Sequence, residues 1–282
     1  MAKPTRRLSP GLYVTATPIG NLGDITYRAV DTLKEADLIL CEDTRHTAKL
    51  CAAYGIETPR RAYHDHNGEK VRPDIIRQLQ GGATICLVSD AGTPLISDPG
   101  YKLVKEARAN DIAVWTLPGA CAAIAGLSVS GVPCDQFFFA GFAPAKQKAR
   151  ETFLTKLKDT PGALIFYESP ERLRDTLAAM ADIFDNRNAR VARELTKIYE
   201  TVTADPLDAL ATYYGENSTK GEIVIIVEPT KEAIVTDGDI DKFLTLALQE
   251  MSVKDVASEA AATYPISKRD AYERALRLKN EK

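Results

Sequence analysis

Residues 84–100, TICLVSDAGTPLISDPG, run from a short apolar stretch straight into a loop holding two Asp, two Pro and two Gly. Thr84–Ser89 has the length and apolar content of a strand, and its unbroken hydrophobicity is that of a strand covered on both faces. The loop behind it specifies its backbone more tightly than a plain connection requires. Outward from this point the same unit recurs. LYVTAT (12–17), DLILCE (37–42) and IAVWTL (112–117) are further strand candidates, separated by amphipathic helical patterns near 26–35, 44–53, 70–80 and 100–110. Such alternation predicts a parallel α/β domain over residues 11–118, with ligands at the C-terminal ends of its strands.

Beyond Pro118-Gly119 the pattern changes. A helical run of small apolar residues, ACAAIAGLSVSG, leads to strand candidates FFFAGF (137–142), ALIFYE (163–168), ARVARE (189–194), IYETVTA (198–204) and EIVIIVE (222–228). Helical patterns fall near 150–158, 170–184 and 206–213, which predicts a second, mixed α/β domain over 119–230. After Glu228-Pro229 strand signals cease and three short helical patterns fill 239–279. The expected fold class is therefore two α/β domains with a small helical C-terminal appendage, 231–282.

The chain has 282 residues, 45% hydrophobic and 27% charged, with a formal net charge of −3. That composition excludes disordered, collagen-like and coiled-coil classes, and no global positive field draws in nucleic acid. Five cysteines, Cys41, Cys51, Cys86, Cys121 and Cys134, form no CxxC pair and read as buried, reduced thiols. The opening MAKPTRRLSP lacks the apolar run of a signal peptide, and no stretch of about 18 apolar residues occurs, so a cytoplasmic protein without membrane association is expected.

Four loops at strand ends carry the candidate chemistry. Thr17–Asp24, TPIGNLGD, offers close backbone approach at its glycines but is neither a P-loop nor a GxGxxG fingerprint, and a tight turn explains it as well. Glu42-Asp43-Thr44-Arg45-His46 concentrates acids, a hydroxyl, a guanidinium and an imidazole. Asp43 or Thr44 there serves equally as a helix N-cap, while Arg45 and His46 suit substrate orientation. His64-Asp65-His66-Asn67 has the HxH spacing of a metal pair, yet His46 is the only other histidine, so no metal is expected and His66 reads as part of a polar lip facing substrate. Leu117–Ala123, LPGACAA, leaves room for a thin ligand or for close helix packing.

In their order along residues 11–229, TPIGNLGDIT, CEDTRHT, HDHN, SDAGTPLISDPG, LPGACA, FYES, ELTKIYE and KGEIVIIVE resemble the tetrapyrrole methylase superfamily. The closest resemblance is to its branch that methylates a cytidine 2′-hydroxyl of small-subunit (16S) ribosomal RNA. The resemblance implies S-adenosyl-L-methionine held between the two α/β domains, a homodimer, and the small ribosomal subunit as partner. By position, Ile19, Gly20, Asp90, Gly92, Thr93, Cys121 and Ala122 match the family's cofactor contacts, as do Tyr167, Leu195 and Glu222 from the second domain. Relatives vary at Cys121. A tetrapyrrole or other small-molecule methylase on the same fold is the alternative, with a noncatalytic ribosome-binding scaffold and a metal-dependent hydrolase behind it.

Methyl transfer to a ribose hydroxyl depends on alignment and benefits from proton handling. Asp43, Glu168 and Lys197 are the expected proton-handling group. For RNA, Lys146, Lys148, Arg150, Lys156 and Lys158 face only Glu151 within 141–158, a local net charge of +4. Lys146, Lys148 and Arg150 are the expected phosphate contacts of that segment. A second basic stretch, 266–282, nets +3 from Lys268, Arg269, Arg274, Arg277, Lys279 and Lys282 against Asp270, Glu273 and Glu281. With the residues before it, this stretch reads as two helices joined by a short turn, resembling the family's helix-turn-helix-like tail, which is expected to bind RNA or to pack a dimer.

Overall fold

The computed structural model describes residues 8–230, 237–249, 251–264 and 266–280. Two compact units divide the chain, Met1–Thr230 and Lys231–Lys282. The first holds two five-stranded sheets.

Sheet one comprises β1 (Gly11–Thr15), β2 (Leu38–Cys41), β3 (Arg60–Ala62), β4 (Thr84–Leu87) and β5 (Val114–Leu117), all parallel, in the order β3-β2-β4-β1-β5. Its helices are α1 (Tyr27–Glu35), α2 (Thr44–Tyr54), α3 (Gly68–Gln80) and α4 (Tyr101–Ala109). The uniform hydrophobicity of its inner strands has a simple cause. Leu12, Leu40, Ile85 and Leu87 pack on one face against α3 and α4, whereas Tyr13, Ile39, Cys41 and Cys86 pack on the other against α1 and α2. Caps fix where these helices begin. The Thr26 hydroxyl accepts from the Ala29 N–H at 3.1 Å, and the Asp43 carboxylate accepts from the Arg45 N–H at 2.8 Å.

The strand order creates the cleft. The connection from β1 leads toward β2 on one side, and that from β4 leads to β5 on the other, so the loops after the adjacent strands β1 and β4 diverge and leave a crevice between them. Those are the TPIGNLGD and SDAGTPLISDPG loops.

Sheet two comprises β6 (Phe137–Phe142), β7 (Ala163–Glu168), β8 (Asn188–Arg193), β9 (Thr201–Pro206) and β10 (Ile223–Val227), in the order β6-β7-β10-β8-β9. Only β6 and β7 run parallel. One face packs Phe166, Val191, Ile223 and Ile225 against α6 (Gln147–Thr155), α7 (Pro170–Ile183) and α8 (Leu207–Glu216). The opposite face packs Ile165, Ala192, Val224 and Ile226 against α5 (Ala122–Ser130), and Ile19 from the first sheet's loop enters the same cluster. A Cβ on Gly126 of α5 would lie 3.2 Å from Val224, so the small residues of this helix permit close contact with the sheet. Residues 11–118 and 119–230 thus carry one sheet each, yet belong to a single compact unit.

The second unit packs α9 (Asp237–Ala247), α10 (Val253–Thr263) and α11 (Lys268–Asn280) around Leu244, Val256, Ala260 and Ala271. Asp241 and Arg274 pair at 2.5 Å. Glu281 and Lys282 of the basic tail lie outside the described residues, as do residues 1–7 of the N-terminus.

Three sequence expectations change. β3 has no counterpart among the expected strands, because Arg60-Arg61-Ala62 is an edge strand too short and polar to carry an apolar pattern. The expected strand 198–204 lies at Thr201–Pro206 instead, since Ile198 and Tyr199 sit at an exposed loop, 95% and 72% accessible. All five cysteines are free, but Cys134 is exposed. At the opposite edge, β5 leaves Trp115 partly open, with its indole N–H 3.5 Å from the Pro10 carbonyl.

Phe166 is fully buried between β10 and the α7 helix. Phe166→Ala is expected to lower stability by about 3–5 kcal/mol, measured by urea unfolding followed by circular dichroism.

Candidate active site

The crevice is closed first by backbone pairing. The Thr17 N–H donates to the Gly92 carbonyl at 2.9 Å and the Gly92 N–H returns to Thr17 at 3.1 Å, while the Thr17 hydroxyl donates to the Ser89 carbonyl at 3.1 Å. Gly92 holds φ +80°, a conformation suited to glycine, and a Cβ there would press on Ile19 at 3.3 Å. The Thr93 hydroxyl then donates to the Ala120 carbonyl at 3.0 Å, linking this loop to the start of the second sheet's layer. From β7, the Tyr167 hydroxyl accepts from the Ala123 N–H at 3.1 Å and so satisfies the N-terminus of α5, where Cys121 provides no side-chain cap. Burial raises the Tyr167 phenol above its ordinary value. Phe139 and Phe142 meet its ring edge to face.

These contacts frame a cavity of about 340 Å³ between the sheets. Of the residues matched to cofactor contacts, Ile19, Gly92, Thr93, Ala122, Tyr167, Leu195 and Glu222 line it. Gly20 and Asp90 instead line an adjoining cavity of about 390 Å³, together with His46, Lys49 and Lys197, while Ile19, Ala91 and Glu222 face both. Cys121 lines neither and packs at the edge of the apolar cluster around Ala123 and Leu127. The Asp90 carboxylate accepts from the Asp43 N–H at 3.2 Å. Gly20 makes room for a neighbouring side chain, since a Cβ there would lie 2.6 Å from the Lys197 stem.

The three expected proton-handling groups are engaged elsewhere. Hydrogen bonds from the Arg45 guanidinium and from its backbone N–H hold the Asp43 carboxyl well below the usual carboxylate range, so it is a helix cap and a weak base. Glu168 is buried with both oxygens committed: to Arg172 at 2.5 Å, to the Ser169 N–H at 2.7 Å and to the Thr176 hydroxyl at 2.7 Å. Burial opposes the charge on Lys197, but ion pairs with Glu194 at 2.7 Å and Glu222 at 2.8 Å outweigh it and raise its pKa, so it stays an ammonium. None of the three offers a free base.

The expected RNA contacts divide. His46, His66, Lys146 and Lys148 are exposed, and Arg45 is exposed while pairing with Asp43. Arg150 is buried, 7% accessible, with its guanidinium turned toward the Ala145 carbonyl, which corrects its expected role at phosphate. The HDHN segment is a turn in which the Asn67 carboxamide accepts from the His64 N–H at 3.0 Å and donates to the Ala62 carbonyl at 3.0 Å. His64 and His66 meet edge to face at 5.9 Å. No group of three or more ligating side chains stands among the described residues.

Sequence reasoning passed over Ser97, Asp98, Phe142 and Val224, which also line the first cavity. A second Asp within one twelve-residue loop was the available signal for Asp98. Its carboxyl is raised to about 6, first by burial and then by Glu42, with the Ser89 hydroxyl partly offsetting them and Asp90 adding to the rise.

Fold and cavity together define a two-sheet α/β protein with a cofactor-sized cleft between its sheets. Residues 11–211 match the family of tetrapyrrole (corrin/porphyrin) methylases, and residues 235–279 match the RsmI C-terminal HTH domain. Among solved structures, diphthine synthase shares the fold at a TM-score of 0.61 and 14% identity, over 77% of this chain and 89% of that one. Uroporphyrin-III C-methyltransferase from Thermus thermophilus, complexed with S-adenosyl homocysteine, gives 0.54 at 16% identity, over 77% and 97%. Proteins named ribosomal RNA small subunit methyltransferase I are far more similar in sequence. The one from Mesorhizobium japonicum is 47% identical over 279 residues, 98% of this chain and 95% of its own. That from Erythrobacter litoralis is 49% identical over 272 residues, 96% of each chain. The chain belongs to the tetrapyrrole methylase family, in the branch formed by the small-subunit ribosomal RNA methyltransferase I proteins.

Because Glu168 is locked in a buried ion pair, Glu168→Ala is expected to cost about 3 kcal/mol of stability by stranding Arg172. Thermal unfolding of the variant checks this; an unchanged melting temperature would leave Glu168 free for chemistry.

Proposed function

We propose that the chain methylates the 2′-hydroxyl of a cytidine in 16S ribosomal RNA, with S-adenosyl-L-methionine as donor. The observation that carries this reading is its 47% identity, over nearly the whole length of both chains, to a protein named for small-subunit ribosomal RNA methylation. The cavity supports the cofactor. Ile19, Ala122, Leu195 and Val224 supply apolar walls of the kind an adenosine ring requires, and Glu222 adds an acceptor at the rim. When bound, S-adenosylmethionine supplies a methyl on a positively charged sulfur.

The chain's own contribution is positioning, because an in-line transfer gains most from holding oxygen and methyl collinear. The Thr17–Gly92 pairing and the Thr93–Ala120 bond keep both walls of the cleft in register. Lys197, fixed as an ammonium between Glu194 and Glu222, stands in the adjoining cavity with His46 and Lys49, which makes that cavity the candidate seat for phosphates flanking the target nucleotide, whose ribose enters the first cavity beside the cofactor.

RNA recognition is assigned to Lys146 and Lys148. Lys146 is the N-cap of α6 and Lys148 stands in its first turn, where the helix dipole disfavours cations unless an anion docks there. A homodimer is supported by the unpaired edge of β6, which leaves Phe137, Phe138 and Phe142 about half exposed. No helix among the described residues is long and apolar enough to cross a membrane, and a ribosomal substrate places the reaction in the cytoplasm.

Labelled methyl transfer to purified small subunits and to naked 16S RNA, followed by mapping of the modified ribose, is expected to give a single 2′-O-methylcytidine. Transfer to neither overturns the reading in favour of a small-molecule methylase. Lys146→Glu with Lys148→Glu is expected to weaken RNA binding and flatten its salt dependence by about two phosphate contacts, read from binding isotherms across a salt series.

A further inference from the structure

We infer that Asp98 is the catalytic base that receives the proton of the target ribose hydroxyl. This inference rests on the methyl-transfer reading above. The geometry begins with the backbone. Leu95 and Ser97 hold φ +74° and +64°, left-handed conformations that cost non-glycine residues energy, and Gly100 closes the turn at φ +132°. A Cβ on Gly100 would strike Leu87 at 2.7 Å, so the loop is pressed onto the end of β4. This strained turn sets Asp98 in the wall of the first cavity, beside Thr93, Ser97 and Tyr167.

The surroundings of Asp98 suit a proton acceptor. Glu42 after β2 and Asp90 after β4 face it with like charge, Tyr167 of β7 couples to it from the second sheet, and the Ser89 hydroxyl steadies its charged form. No Lys or Arg pairs with it among the described residues. Its carboxyl titrates at about 6, close enough to neutrality to be ionised at working pH and still accept a proton well. Asp43, Glu168 and Lys197 are all committed elsewhere, as their hydrogen bonds show.

The step balances without a further reactant. As the ribose oxygen forms its bond to the methyl carbon, the carbon–sulfur bond breaks and its electron pair returns to sulfur, discharging the sulfonium. The hydroxyl proton passes to Asp98 and then to solvent.

The sign of the pH effects is fixed. The active form is the carboxylate, so kcat/KM, which follows the free enzyme, rises with pH through about 6 and then levels. Stability moves the other way. A carboxyl raised on folding favours the protonated native state, so stability is greatest below the unfolded value of about 4 and declines as pH rises toward 6.

The test is Asp98→Asn, assayed beside the wild type for methyl transfer to ribosomal RNA from pH 5 to 9, cofactor affinity by calorimetry, and melting temperature at pH 7. The proposal expects a fall in kcat of about 100-fold, loss of the acid limb near pH 6, little change in cofactor affinity, and a melting temperature higher by about 2–4 °C. A variant that keeps the acid limb or most of its turnover overturns the assignment. So does one that loses cofactor affinity while its residual turnover keeps the limb, which would make Asp98 an anchor for the cofactor's ammonium. A wild type that binds cofactor but methylates no ribosomal RNA defeats the functional reading itself, and the base assignment falls with it.

Discussion

Everything at the cleft hangs on the two-way backbone pairing between Thr17 and Gly92. Parallel strands cannot close their own C-terminal ends, because each ladder stops where the chain turns away to its helix. Here the loops after β1 and β4 leave in opposite directions, and one isolated antiparallel bridge holds their roots together. Glycine at 92 is required twice, by its φ of +80° and by the proximity of Ile19. Ile19, held there, reaches into the apolar cluster of the second sheet, so the same bridge that shapes the crevice also fixes one sheet on the other.

The second layer answers from its own side. Tyr167 uses its hydroxyl to satisfy the start of α5 and its ring to wall the cavity, while Thr93 ties the long loop to Ala120. Polar side chains in this region are mostly spent on holding backbone. Charge remains concentrated in two places: the acids Glu42, Asp90 and Asp98, which face one another, and the Glu194–Lys197–Glu222 bridge.

Sheet one was legible from sequence because strands buried on both faces leave unbroken apolar runs. β3 was not, since an edge strand reading Arg-Arg-Ala carries no such run. Ile198 and Tyr199 misled the placement of β9, being apolar residues on an exposed loop. At the site, the loops were legible and the roles of their charges were not. Glu168 and Arg150 look like reactive or RNA-binding groups in one dimension; only packing shows Glu168 sealed beneath Arg172 and Arg150 folded back on Ala145. Asp98 was hidden for the converse reason, because it draws its character from burial and from Glu42, dozens of positions away.

The edge of sheet one has a practical consequence. Trp115 is the chain's only tryptophan and sits on β5, half open to solvent, with its ring 6.3 Å from that of Tyr13. Indole emission is therefore a reporter native to the parallel sheet, whereas near-ultraviolet dichroism also samples Tyr167 of the mixed sheet and Tyr213 and Tyr214 of the α8 helix packed on it. Followed together through one denaturation, the two optical signals would show whether the sheets bordering the cleft melt as one cooperative body or in succession.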